Sequence, residues 1–207
     1  VFGEIRHLKV QEGRYGAASL ASEPRLSPMV FVFNLDYDIK KLMSELRRVL
    51  INAELDTRVG RALDQVSEDS IKRWLKEMIA IPSENPMDGA VGPGRREKEL
   101  GEYYLQQMRD LGLDVSSRDA APDRPNVFGS RHGSGDGDTL MLCGHLDTVL
   151  TDGYKDPFVP TEKDGRIYGR GSCDMKAGLA CYLEVARVLG DSDIDLAGSL
   201  MLCGVAD

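Results

Sequence analysis

The pentapeptide Leu-Met-Leu-Cys-Gly occurs twice, at 140–144 and at 200–204. Each copy sits in a nearly continuous apolar run, TLMLCGH at 139–145 and SLMLCGVA at 199–206. A short run without alternation is the pattern of a strand covered on both faces. Between the two runs, Leu179, Tyr182, Val185, Ala186 and Leu189 recur at helical spacing over about 175–189, with Gly190 as the expected stop. Strand, helix-bearing crossover, strand implies a parallel βαβ unit, so both copies become strands of one sheet. Their likeness is that of two buried strands; five shared residues do not make a duplication.

The rest of the chain carries weaker signals. Ile39, Leu42, Met43, Leu46, Val49, Leu50 and Ala53 predict a helix from 36 to about 58. A second helix is expected over about 68–80, with Ile71, Trp74, Leu75, Met78 and Ile79 on one face, acidic residues in its first turn and Pro82 beyond its end. A loop at 83–94 leads to a third helix, about 95–111, with Leu100, Tyr104, Met108 and Leu111 on a stripe and Gly112 as its stop. Short strands near 113–118 and 126–131 follow, and Asp164-Gly165 suggests a hairpin.

Bulk numbers exclude some functions. The 207 residues are 42% apolar and 29% charged, enough for a core, and a net charge of -8 argues against nucleic acid or an anionic membrane as partner. No apolar stretch approaches the ~18 residues of a membrane span, and the first residues lack a secretory pattern. Cys143, Cys173, Cys181 and Cys203 lack CxxC spacing and read as reduced packing residues of a cytoplasmic protein.

Chemistry belongs at the carboxyl ends of such strands. There the chain reads G-H-L-D-T-V at 144–149. A neutral imidazole at His145 suits zinc if its second nitrogen is held, and Asp147 can hold it. From that spacing alone, a solvated loop His beside a turn Asp is the better reading. The second constellation is Y-G-R-G-S-C-D-M-K-A-G at 168–178. Asp174 precedes a helix, where Asp is a favoured N-cap, but Gly169 and Gly171 exceed what a cap requires. A carboxylate held there can bridge two cations. A phosphate-binding loop would rest on those two glycines only, without a full nucleotide motif.

G-H-L-D-T-V, D-P-F at 156–158 and D-G-R-I-Y-G-R-G-S-C-D-M-K-A-G at 164–178, with PS-x-N-P at 82–86, resemble the zinc-dependent amidohydrolase and exopeptidase family. Acetylornithine deacetylase, succinyl-diaminopimelate desuccinylase, glutamate carboxypeptidase and the aminoacylases belong to it. The resemblance covers about 67–207; residues 1–66 form a leader outside it, helical from about 36. It implies a three-layer α/β/α catalytic domain with a mostly parallel sheet. It also implies hydrolysis of N-acyl amino acids or short peptides by two divalent ions, Zn²⁺ or Co²⁺. His145 is implied as a ligand of one metal, Asp174 as the bridge between two, and Asp147 as the carboxylate that holds His145. A cis peptide is implied at Asp174–Met175. Asp207 matches the first letter of the family's D-E-E run, whose two Glu residues, general base and ligand, would follow. The chain is thus expected to be an amino-terminal fragment, lacking the lid domain through which the intact protein would form a homodimer. A noncatalytic relative that binds a carboxylate ligand or a protein partner is the alternative.

Overall fold

A computed structural model describes residues 30–32 and 53–56 by their backbone, and residues 57–85 and 96–206 in full. The elements, in order, are β1 (Val30–Val32), α1 (Ala53–Asp64), α2 (Glu68–Ile79), α3 (Glu97–Asp110), β2 (Asp114–Ala121), β3 (Arg124–Arg131), β4 (Thr139–His145), β5 (Thr161–Lys163), β6 (Arg166–Tyr168), α4 (Lys176–Asp191) and β7 (Ser199–Val205). Most of the expected helix at 36–58 lies outside the described residues; its last part belongs to α1, which continues to Asp64. The expected ends of α2 and α3 agree to within two residues.

One five-stranded sheet has the order β1-β4-β7-β3-β2. The pairs β1–β4 and β4–β7 are parallel, whereas β7–β3 and β3–β2 are antiparallel. The sheet is therefore mixed rather than mostly parallel, because the β2–β3 hairpin enters it as a unit. The parallel βαβ unit β4–α4–β7 is present as expected. Its two pentapeptides pair with each other in register, Leu140 with Leu200 through Gly144 with Gly204. A second, two-stranded sheet is the β5–β6 hairpin, turned by Asp164 (φ 52) and Gly165 (φ 71). Two left-handed residues in a two-residue loop match the twist of the strands they join.

Leu142 and Leu202 are fully buried, with Leu200 at 2% exposure. A Cβ on Gly144 would meet Met175 and Leu179, whereas one on Gly204 would meet Tyr104, beside α3. Because register partners in parallel strands share a face, α3 and α4 cover the same side. The helix α2 packs on α4 and reaches α3 through Trp74 Nε1, which donates to Gln107 Oε1 at 2.9 Å. The core is this layer: Trp74, Met78, Ile79, Leu100, Tyr104, Met108, Leu179, Tyr182 and Leu183 against the even positions of β4 and β7. The opposite face carries Phe128, Met141, Cys143 and Met201, all half-buried. Cover on both faces was expected; among the described residues a single helical layer lies on the sheet.

Two expected features differ for local reasons. The helix α4 runs through Gly190 to Asp191. There the Arg131 guanidinium lies where a Cβ of residue 190 would stand, 2.6 Å away. Cys173 is exposed rather than packed, because it sits in the turn that precedes α4.

Removal of core volume tests this packing. Leu142→Ala is expected to lower unfolding free energy by about 2–5 kcal/mol, read from denaturant melts, because the site is enclosed by α4 and β7.

Candidate metal centre

His145 is the last residue of β4, and its register partner Val205 ends the neighbouring strand. The chain then turns sharply but stays tied. Leu146 N donates to Val205 O at 2.8 Å, and the Leu146 carbonyl accepts from Ser83 Oγ at 2.9 Å. Thr148 N donates to Ser83 O at 2.7 Å and Asn85 N donates to Thr148 O at 2.8 Å. The stretch after α2 thus continues the sheet's hydrogen bonding beyond β4. Asn85 Nδ2 donates to Asp147 Oδ2 at 2.9 Å, fixing a carboxylate that is 7% exposed.

Asp174 arrives from the other side. The turn at 169–175 lies on the end of α2, where Gly169 (φ 154) and Gly171 (φ 82) adopt conformations unfavourable to L side chains. A Cβ on Gly169 would stand 2.5 Å from Ile79 Cγ2, and one on Gly171 2.8 Å from Lys176 Cδ. Both glycines are required by close approach. Lys176, 1% exposed, donates from Nζ to the carbonyls of Met78 and Ile81, each at 2.9 Å. Its cation thereby meets the negative end of α2, and burial pulls its pKa down to about 7. The N-cap of α4 is Met175, with no side-chain cap bond. Asp174 therefore does not cap the helix. The Asp174–Met175 peptide is cis, as the resemblance implied.

The two arms meet. His145 Nε2 lies 3.0 Å from Asp174 Oδ1, and Asp174 remains 65% exposed. His145 Nδ1 lies 2.9 Å from the Asp147 carbonyl and 3.5 Å from its carboxylate. Asp147 was expected to hold the ring by its carboxylate; the shorter contact is to its carbonyl, and the carboxylate adds charge. Asp147 first, and Asp174 after it, push the His145 pKa up to about 9 despite burial. Burial opposes ionisation of Asp147, but bonds from His145 and Asn85 outweigh it and hold the carboxyl below its usual range. Without a metal, a doubly protonated ring satisfies both contacts, Nδ1–H to the carbonyl and Nε2–H to Asp174.

An imidazole nitrogen and an exposed carboxylate oxygen at one point suit a divalent cation in place of that proton. Among the described residues no group of three or more His, Cys, Asp or Glu could hold a metal. The donor set present is thus two residues, and Asp207 lies outside the described residues. Sequence reasoning missed Lys176 and the individual roles of Ser83 and Asn85. The Pro-Ser-Glu-Asn-Pro stretch at 82–86 carried the signal for the last two, whereas nothing marked the lysine. Thr148, Gly169, Gly171 and Asp174 line an open cleft beside the pair.

With this geometry in view, residues 141–207 match the family described as Peptidase family M20/M25/M40. The likeness is to one part of the chain, its last third. The chain is 33% identical over 119 residues to N-formyl-4-amino-5-aminomethyl-2-methylpyrimidine deformylase of Bacillus subtilis, covering 55% of this chain and 28% of the relative. It is 36% identical over 111 residues to succinyl-diaminopimelate desuccinylase of Methylibium petroleiphilum, covering 50% of this chain and 29% of the relative. The fold resembles the crystal structure of human carnosine dipeptidase 1, with a TM-score of 0.59 at 21% identity over 81% of this chain and 34% of that one. The chain thus spans less than a third of the length of the two curated relatives. No described helix is long and apolar enough to cross a membrane.

The raised histidine pKa gives a direct test. In the metal-free chain the His145 ring is expected to titrate near 9 by NMR, and Asp147→Asn should move it towards 6.5. Its charge contacts stabilise the fold fully below about 6.5 and are lost as pH rises through about 9. Titration at or below 6.5 in the unaltered chain would show that the contacts are not made in solution.

Proposed function

We propose that the protein containing this chain is a metal-dependent hydrolase of the amide bond in N-acyl amino acids or short peptides. The observation that carries the reading is the 3.0 Å approach of His145 Nε2 to Asp174 Oδ1 at the carboxyl end of a parallel strand. The names of the relatives, a deformylase and a desuccinylase, support it. In this reading residues 67–207 belong to the catalytic unit and the intact protein is a homodimer in the cytoplasm.

His145 would be a ligand of one ion and Asp174 the carboxylate between two, with Zn²⁺ favoured and Co²⁺ as a substitute. Metal bound there supplies a Lewis acid for the amide carbonyl and a water acidic enough to ionise near neutral pH. Asp147 acts through the ring: its carbonyl accepts a hydrogen bond from Nδ1–H and its carboxylate raises the basicity of Nε2. Asn85 holds that carboxylate in turn. Lys176 and Gly171 keep the Asp174 turn seated on α2, so the separation of the two donors is set by packing.

Two experiments test it. The 207-residue chain, whose described residues supply two donors where a catalytic zinc has about three protein ligands and a water, is expected to hold less than one zinc per chain by elemental analysis and to hydrolyse no N-acyl amino acid. Two tightly held zinc ions per chain would overturn that donor count. In the protein containing this chain, hydrolysis of N-formyl, N-acetyl or N-succinyl amino acids or of dipeptides should vanish with a chelator and return with Zn²⁺ or Co²⁺. There Asn85→Ala should lower kcat/KM by about 10–100-fold. Metal binding without hydrolysis of any of these would favour a noncatalytic carboxylate binder.

A further inference from the structure

The in-register pairing of the two pentapeptides has an effect beyond the hydrolytic centre. It sets Cys143 beside Cys203, and two residues earlier Met141 beside Met201. Positions two apart on a strand share a face, so four sulfur side chains stand on the side of the sheet that the described helices leave open. Neither thiol is in a disulfide. Cys203 is 3% exposed while Cys143 is half-buried, so the pair is shielded but reachable from one side. Tyr182 Oη donates to the Cys143 carbonyl at 3.4 Å from the opposite face, tying that rung to α4.

We propose that Cys143 and Cys203 form a two-coordinate site for a soft monovalent metal ion of the Cu⁺ class. Adjacent strands lie ~4.8 Å apart. A metal–thiolate bond of about 2.3 Å on each side of a linear ion spans about 4.6 Å, so the ion fits between side chains that rise in parallel. Thiolate and thioether donors select Cu⁺ over harder ions, and the methionine pair adds soft sulfur to the same face. Zinc does not suit the pair, because it needs three or four donors and no group of three exists among the described residues. Each thiol releases its proton to water as its S–Cu bond forms. Copper stays monovalent, and no electron changes hands.

The test is an anaerobic titration of the purified chain with Cu⁺ against a chromophoric Cu⁺ chelator. One Cu⁺ per chain should be retained, and Cys143→Ser and Cys203→Ser should each weaken retention at least tenfold, whereas Cys173→Ser should not. X-ray absorption of the copper-loaded unaltered chain should show two sulfur neighbours and no nitrogen. That measurement decides even if a serine variant fails to fold. Nitrogen neighbours would place the copper on His145, and undiminished retention in either serine variant would place it elsewhere; each overturns the site. Loss of all copper to the chelator overturns it as well. None of these outcomes depends on hydrolytic activity, so the site stands or falls apart from the proposed function.

Discussion

The parallel, in-register pairing of β4 with β7 is the constraint from which the rest follows. It brings His145 to the end of a buried strand and continues, through Leu146 N to Val205 O, for one bond beyond it. It also sets Gly144 beside Gly204, and their missing side chains admit Met175 and Leu179 from α4 and Tyr104 from α3. A slip of one residue would reverse which side chains face the helices, exposing Leu142 and Leu202. The apolar cost of that exposure, about 1.5–3 kcal/mol per leucine, is what makes the register unique.

A second constraint acts at right angles to the first. The end of α2 and the residues after it touch both arms of the candidate centre. Ser83 and Asn85 bond to the turn after β4, and the Met78 and Ile81 carbonyls bond to Lys176 beside the Asp174 turn. A short piece of chain thus references an imidazole and a carboxylate to each other although 29 residues separate them in sequence. Such a reference frame suits a site whose donors must be placed to within a fraction of an ångström.

How much of this was legible varied with the range of the forces involved. The stripes of α2, α3 and α4 and the hairpin at Asp164-Gly165 come from local periodicity and turn chemistry, and these agree with the structure. The mixed sheet was not legible, because the direction in which β3 joins β7 depends on contacts between residues some 75 apart. At the centre, His145 and Asp174 were named from motifs that resemble a known family, and the structure sets them 3.0 Å apart. The Asp147 carbonyl contact and the buried amine of Lys176 were not foreseen. A backbone acceptor leaves no trace in residue type, and a lysine in sequence looks like any solvated cation.

The twin pentapeptides also bear on assembly of the chain. The two stretches are each other's partner across sixty residues, Leu140 to Leu200, and the same match exists between any two copies of the protein. At high concentration, before α4 has closed over the sheet, the first stretch of one molecule meets the second stretch of another with identical complementarity. Fast local formation of α4, which shortens the path between the partners, is what favours the self-contained monomer over strand exchange.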